Sequence, residues 1–303
     1  MTDRVPGPDG LAVVDKASGW TSHDVVAKSR GLLGTRKVGH AGTLDPDATG
    51  VLLLGVGRVT RLLRFLSPLG KHYEGVMVLG VETSTLDAAG EVTATHDMAG
   101  TTLDEVRRVA AERFTGPILQ IPPMVSALKI DGVRLHQLAR QGIEVDRDAR
   151  PVTIHSLEVD AVVGEPASFR IRVHCSSGTY IRSLAADLGT ALGGGAHLGS
   201  LRRTAVGSFT LTEARPLEAL DPTALLSPAA ALRDLDSVAA DEGAAVDVGF
   251  GKVLTRRQLG LPPMARGPWA VLGPGGELLA VYEPHRDDTV KPAVVVAPAG
   301  PSR

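Results

Sequence analysis

The sequence predicts a mixed α+β fold: a largely antiparallel mixed sheet flanked by helices, followed by a small β-rich C-terminal domain. Three observations carry this. Helical and strand-like segments alternate irregularly, without the repeated βαβ rhythm of a parallel sheet. Residues 152–163 and 168–175 alternate apolar and polar (Phe169, Ile171, Val173 and Cys175 against Arg170, Arg172 and His174), as a half-buried antiparallel pair does. Near the C-terminus, short β-like runs at Trp269–Leu272, Leu278–Tyr282 and Ala293–Val296 stand between turn-forming Gly and Pro residues. An acidic, Ala/Pro-rich stretch around 221–240 reads as a connector and sets the expected boundary, 1–238 against 239–303.

Element by element, Leu11–Asp15 reads as a short strand. Trp20 leads into a helix in which Thr21 and Asp24 form a capping-box variant, Val25, Val26, Leu32 and Leu33 supply the apolar stripe, and Gly34 ends it. Residues 38–50 are punctuated by Gly39, Gly42, Pro46 and Gly50 and are expected to be an irregular loop. A strand at Val51–Val56, a basic helix near Arg58–Leu66 and a strand at Tyr73–Leu79 follow. Thr102–Phe114 is a helix capped by Thr102, with Glu105 three residues on. Val125–Ile130 reads as a strand entering an Asp131-Gly132 turn, with a basic amphipathic helix near Leu135–Gln141. Thr179–Leu192 is helical with Ile181, Leu184, Ala185 and Leu188 inward.

Composition bounds the function. With 43% hydrophobic and 22% charged residues in a 303-residue chain, a large core is available and compositional disorder is excluded. The one cysteine, Cys175, excludes an intramolecular disulfide and a multi-cysteine zinc site; its place among alternating strand residues points it to the core. The first residues lack the apolar core of a signal peptide, and no stretch approaches the ~18 apolar residues of a membrane span. A soluble cytoplasmic protein is therefore expected, and nothing in the sequence demands more than a monomer.

A net charge of −2 argues against a nucleic-acid partner until its distribution is read. Residues 221–250 hold six acids and one base, whereas residues 25–44 hold Lys28, Arg30, Arg36 and Lys37, and residues 55–73 hold Arg58, Arg61, Arg64 and Lys71, with no acid in either run. Clustered positive charge is what phosphate contacts require, although solvated helix faces produce the same pattern.

The loop at 38–50 is the densest chemical candidate, placing His40, Asp45 and Asp47 in a Gly-rich turn that lets a large substrate approach the backbone. The alternative is a structural loop in which Asp45 and Thr49 bond nearby amides. Asp45-Pro46-Asp47-Ala48-Thr49 also fits the D-x-D-x-T pattern of magnesium-dependent aspartyl-phosphate phosphatases. Their nucleophile, however, follows a buried apolar strand, and here the apolar strand comes after the loop. At 174–182, Gly178 and Thr179 end a strand and place Tyr180 and Arg182 at a helix start, suited to an anionic or aromatic ligand. Lys71-His72-Tyr73-Glu74 and Leu201-Arg202-Arg203-Thr204 are further basic patches. No Walker A, no G-x-G-x-x-G after a strand and no metal-ligand spacing of His is present, so the expected cofactor and metal set is empty.

Together these residues resemble the tRNA pseudouridine-55 synthases, the TruB-type family. The resemblance is carried by Gly39 to Gly50, by Lys71-His72-Tyr73 with Leu79-Gly80, by Gln120 to Lys129, by His174 to Arg182 and by Leu201-Arg202-Arg203, in family order over roughly residues 10–210. It implies a pseudouridine synthase-like catalytic domain with a small PUA-like C-terminal domain, and isomerisation of uridine to pseudouridine at position 55 in the T arm of tRNA. It further implies Asp45 as nucleophile, Arg182 as the partner keeping it ionised, and Tyr73 as stacking platform and base for the C5 proton. Tyr180 and Leu201 would wall the base pocket, His40 would brace the stack after base flipping, and Lys129 would lie near the RNA path. Competing expectations are a non-catalytic tRNA-binding or folding module and the phosphatase. Two features depart from the family: the tail after about residue 240 is short, and Asp47 sits where members need not carry an acid, so it is read as non-catalytic.

Overall fold

In the computed structural model, residues 7–296 are described, apart from Ala127, Asp131 and Pro166. The apolar run after Gly10 forms β1 (Gly10–Lys16). α1 (Ser22–Leu32) begins at the expected capping box, with Thr21 and Asp24 exchanging side-chain and backbone bonds. The next two strands, β2 (Val38–Ala41) and β3 (Thr49–Val56), correct the expectation of an irregular 38–50 segment. Val38 to Ala41 pair antiparallel with Val56 to Leu53, and Gly39 faces Gly55 where Leu63 packs closely over both. The glycines make room there rather than break the strand, and only residues 42–48 remain a loop. The basic segment is a 3-10 turn (Gly57–Leu62) closed by α2 (Leu63–Leu66), and β4 (Lys71–Leu79) follows.

A small hairpin, β5 (Val81–Thr83) with β6 (Val92–Thr95), precedes α3 (Leu103–Arg113), which Thr102 caps by accepting from the Glu105 amide. β7 (Gly116–Gln120) was not expected. Among the described residues of the expected strand at 125–130, β8 (Lys129–Ile130) alone pairs, with β9 (Val133–Arg134), before α4 (Leu135–Arg140). The antiparallel pair is present as β10 (Arg150–Ala161) and β11 (Ser168–Cys175), and α5 (Ile181–Ala191) carries its apolar stripe inward. The strand most clearly missed is β12 (Ala196–Val206), eleven residues long and central to the sheet. Two register shifts and two consecutive arginines hide its periodicity.

The main sheet runs β14 (Arg215–Pro216), β1, β3, β12, β4, β11, β10, β7, with β13 (Phe209–Thr210) beside β12 and β2 beside β3. Only β1–β14 and β3–β12 pair parallel. The β3–β12 junction positions the 42–48 loop: a Cβ at Gly50, whose φ is +103°, would lie 2.1 Å from the Arg203 carbonyl, so only glycine fits. Beneath the sheet, α3 and α5 pack on Met77, Ile171 and Val173, with Val106 and Val109 of α3 and Leu184 and Leu188 of α5 facing inward. Each such side chain contributes roughly 2 kcal/mol of burial.

The connector is ordered. Asp221 and Ser227 cap short turns, the second opening α6 (Pro228–Ala231), and β15 (Ser237–Ala239) joins a second sheet. That sheet runs β15, β17 (Trp269–Leu272), β18 (Leu278–Pro284), β19 (Thr289–Val295), β16 (Leu254–Thr255), with α7 (Glu242–Gly249) packed on it. Leu11, Leu53, Leu62 and Phe209 meet Ala270, Leu278, Val281 and Val294 between the sheets. The second basic run seals this joint: Arg58 pairs with Asp9 and donates to the Val296 carbonyl, Arg61 donates to the Val295 carbonyl, and Arg64 pairs with Glu283. Those arginines are structural ties, not an open phosphate-binding face. No described helix is long and apolar enough to cross a membrane.

Candidate active site

The loop carrying Asp45 is held from both ends. β1 ends in Lys16, 1% exposed, whose ammonium donates to the carbonyls of Ala17 (2.9 Å), Trp20 (2.7 Å) and Pro46 (2.8 Å). Burial pushes Lys16 down to about 8, against the pull of Asp47 and Asp45. The Ser22 hydroxyl donates to the Leu44 carbonyl and accepts from its amide (2.9 Å), and the Gly19 amide donates to Pro46. Arg203, 1% exposed, reaches across from β12 to the carbonyls of Val51 (2.7 Å), Gly42 (3.2 Å) and Thr43 (3.3 Å). Asp45 thus projects from a turn fixed on each side, the placement a reacting carboxylate needs.

Its partner is Arg182, in the first turn of α5 and 4% exposed. Nε lies 3.0 Å from Asp45 Oδ2 and Nη2 3.2 Å from Oδ1, a two-point contact that fixes the carboxylate plane. The remaining donors go to the carbonyls of Thr85 (2.9 Å) and Val125 (2.7 Å), and Asp87 Oδ2 lies 3.4 Å from Nη1. Burial raises the Asp45 pKa above its ordinary value, Asp87 raises it further, and Arg182 only partly opposes them. On its open side Asp45 still meets solvent over 42% of its side chain.

A cleft of about 260 Å³ lies on that open side, and Asp45, Tyr73, Tyr180, Arg182 and Leu201 all line it, with Lys71, Arg203 and Ser126. Tyr73 is 8% exposed and its phenol is pushed up by burial, which Arg203 opposes, so it stays neutral near pH 7. Tyr180 caps α5 without a side-chain bond; its backbone is instead clasped by Gln120, which accepts from its amide (2.7 Å) and donates to its carbonyl (3.0 Å). His40 is not in the cleft wall: it lies on β2 with its ring 5.4 Å from His23, edge to face. Lys129 falls in β8, and its side chain lies outside the described residues. Asp47 is exposed and borders a second cavity, of about 510 Å³, which Asp45, Asp87, Arg182 and Leu201 also line. Cys175 is buried and pushed up to about 11, an inert thiol. Among the described residues no group of three His, Cys, Asp or Glu side chains is placed to hold a metal ion.

Four residues that build this site were given no role by the sequence reading: Lys16, Asp87, Gln120 and Arg203. A lysine closing an apolar strand and an arginine pair inside a Gly-interrupted one were available signals, since buried cations must find acceptors. Asp87 carried none.

Residues 30–181 match the TruB family pseudouridylate synthase N-terminal domain, and residues 182–237 the tRNA pseudouridylate synthase B C-terminal domain. The chain is 46% identical over 301 residues to tRNA pseudouridine synthase B of Arthrobacter sp. (strain FB24), covering 96% of this chain and 97% of that protein. It is 46% identical to the Streptomyces coelicolor protein of that name (94% and 97% covered) and 48% identical to that of Corynebacterium glutamicum strain R (93% and 94%). Among solved structures it superposes on a chain of a Cbf5-Nop10-Gar1 complex with a TM-score of 0.74 at 27% identity, covering 95% of this chain and 85% of that one. A chain of an H/ACA RNP bound to a substrate RNA containing 2′-deoxyuridine superposes with a TM-score of 0.70 at 26% identity, with the same coverage.

Proposed function

The chain belongs to the TruB family of pseudouridylate synthases, and from that premise we propose that it converts uridine 55 in the T arm of tRNA to pseudouridine, with Asp45 as nucleophile. The observation that carries this is the Asp45 carboxylate, gripped at two points by Arg182 and opening on a cleft walled by Tyr73, Tyr180 and Leu201. The reaction breaks N1–C1′, turns the base in place and bonds C5 to C1′. C5 loses a proton and N1 gains one, so atoms and electrons balance with no redox partner. Asp45 answers the electron deficiency at C1′, or adds at C6; both need its ionised form. Tyr73 offers a face for the pyrimidine. As a neutral phenol it takes the C5 proton through its lone pair while its own proton passes on, through solvent, to N1. Tyr180 and Leu201 close the pocket.

The target base is stacked inside the folded T arm, so it must be flipped out at a cost of a few kcal/mol. His40, beside His23, is assigned to brace the vacated stack, and Lys129 to the RNA path. Lys28, Arg30, Arg36 and Lys37 are exposed, and among the described residues no carboxylate lies within 4.0 Å of them. They offer the phosphate contacts that offset flipping. The protein is assigned as a cytoplasmic monomer that divides at residues 238/239 into a catalytic domain and a small PUA-like domain.

The test is an unmodified tRNA transcript treated with the purified protein and mapped for pseudouridine. One modified position, 55, formed equally with and without EDTA, is the expected result. Tight tRNA binding without modification would instead make this a non-catalytic tRNA-binding module. No pseudouridine, together with EDTA-sensitive phosphate-ester hydrolysis to which Asp47→Asn is as damaging as Asp45→Asn, would revive the phosphatase.

A further inference from the structure

Another part of the same cleft is built on a different electrostatic plan. Lys71 opens β4 on the face that carries Tyr73, and Arg203 stands in register with Tyr73 across the β4–β12 pairing. The two cations therefore flank the phenol, and both line the cleft while being 6% and 1% exposed. Burying a cation costs several kcal/mol unless it is paired. Arg182 meets two carboxylates; Lys71 and Arg203 meet none within 4.0 Å among the described residues. Among the described residues, Lys71 donates to the carbonyls of Ser67 (2.9 Å) and Leu69 (2.6 Å), and Arg203 to those of Gly42, Thr43 and Val51 and to the neutral Tyr73 hydroxyl. The acidic neighbours that could offset them, the Cys175 thiol and the Tyr73 phenol, are both pushed up by burial and stay neutral near pH 7. Burial and repulsion from Arg203 bring Lys71 down to about 8, so it remains largely charged at neutral pH. Neutral donors would hold the same carbonyls, so hydrogen bonding alone does not account for two like charges beside a cavity.

Uridine isomerisation supplies the missing anion. If N1–C1′ breaks, its electron pair stays on N1 and spreads to O2 and O4; if Asp45 adds at C6, the C5–C6 pair moves towards O4. Either way the pyrimidine becomes negative while it lies against Tyr73. We infer that Lys71 and Arg203 form an electrostatic subsite for the anionic pyrimidine, holding the charge until C5 bonds to C1′ and N1 is reprotonated. This rests on the uridine-isomerase reading above.

The test compares Lys71→Gln, which keeps a donor without the charge, and Lys71→Met with Lys71→Arg, which restores the charge. T-arm RNA carries uridine or 5-fluorouridine at the target. Fluorine makes the ring a better anion, so the subsite matters less for it. The expected result is RNA binding within about threefold of wild type, with a single-turnover rate on uridine lower on the order of 100-fold in both uncharged variants. The loss falls to about tenfold or less on 5-fluorouridine, and Lys71→Arg recovers most of the rate. Equal losses on the two RNAs, or weaker binding at an unchanged rate, would overturn the inference. Wild-type protein that leaves both RNAs unmodified would remove the isomerase reading, and the subsite with it.

Discussion

The Asp45–Arg182 contact and the Lys71–Arg203 pair share one cleft and are solved oppositely. In the first, a buried cation is saturated by Asp45, Asp87 and two carbonyls. In the second, the buried cations have neutral oxygens alone among the described residues: backbone carbonyls and the Tyr73 hydroxyl. Saturated charge fixes a geometry; unsaturated charge keeps a potential in reserve for something that arrives. The contrast recurs on the surface, where Arg58, Arg61 and Arg64 are bound to the second sheet while Lys28, Arg30, Arg36 and Lys37 face solvent.

Breaking the saturated arrangement should cost most. Arg182→Met strands Asp45 and Asp87 together without their cation. Removing one partner of a buried pair costs about 3–5 kcal/mol, so a clear drop in melting temperature is expected alongside loss of pseudouridine formation by more than a thousandfold. Unchanged melting and activity would show the contact to be incidental. Arg203→Lys comes next: it keeps a cation but cannot reach three carbonyls at once. A rate loss of about ten- to a hundredfold is expected by analogy with other positioning donors, with tRNA affinity within about threefold, read by single-turnover kinetics and filter binding.

The pH profile sharpens the comparison, because the proposed reaction calls for an anion at position 45 and the inferred subsite for a cation at position 71. The rate falls as pH drops through the Asp45 pKa, and burial places that limb above the ordinary carboxylate value of about 3.9. It falls again as pH rises through about 8, where Lys71, facing Arg203 and Cys175, loses its proton. Lys71→Gln should abolish the alkaline limb and leave the acid limb in place. Lys16 titrates near the same pH, and Lys16→Gln should keep the limb if Lys71 is its origin. Its effect on stability has a definite sign: both lysines have depressed folded values, so the unfolded chain binds more protons between about 8 and 10.5, and their contribution to stability rises with pH across that window.

The smallest effect is expected at the surface. Lys37→Ala should weaken tRNA binding a few-fold and lower the salt dependence of log K by about one unit, whereas Arg61→Ala should change neither. Equal effects would erase the difference between the two basic runs.

Much of this architecture was legible in the sequence. The capping box at Thr21, the stripe of α5 and the alternation of β10 and β11 are local signals, and local signals survive in sequence. What escaped depends on partners distant along the chain. Gly39 looked like a breaker until Gly55 and Leu63 were set against it, and β12 was hidden by bulges that only its neighbours in the sheet explain. The site divides the same way. Asp45, Tyr73, Tyr180, Arg182 and Leu201 were read through the family resemblance, and they meet in one cleft. The side chains that hold or charge that cleft act through partners distant along the chain, Lys16 and Arg203 through backbone carbonyls, Gln120 through the Tyr180 backbone and Asp87 through Arg182, which no spacing rule encodes. The same limit holds for the Asp45 pKa: a neighbouring guanidinium that lowers it can be foreseen from the family, but the larger effect of burial cannot.

One measurement bears most directly on the central claim: tritium release from 5-tritiated uridine placed at position 55 of a T-arm transcript, with wild-type protein and Asp45→Asn side by side. Full release by the wild type and none by Asp45→Asn, whose fold Arg182 still secures through Asp87, Thr85 and Val125, is the result this account requires. Comparable release by both proteins would contradict it.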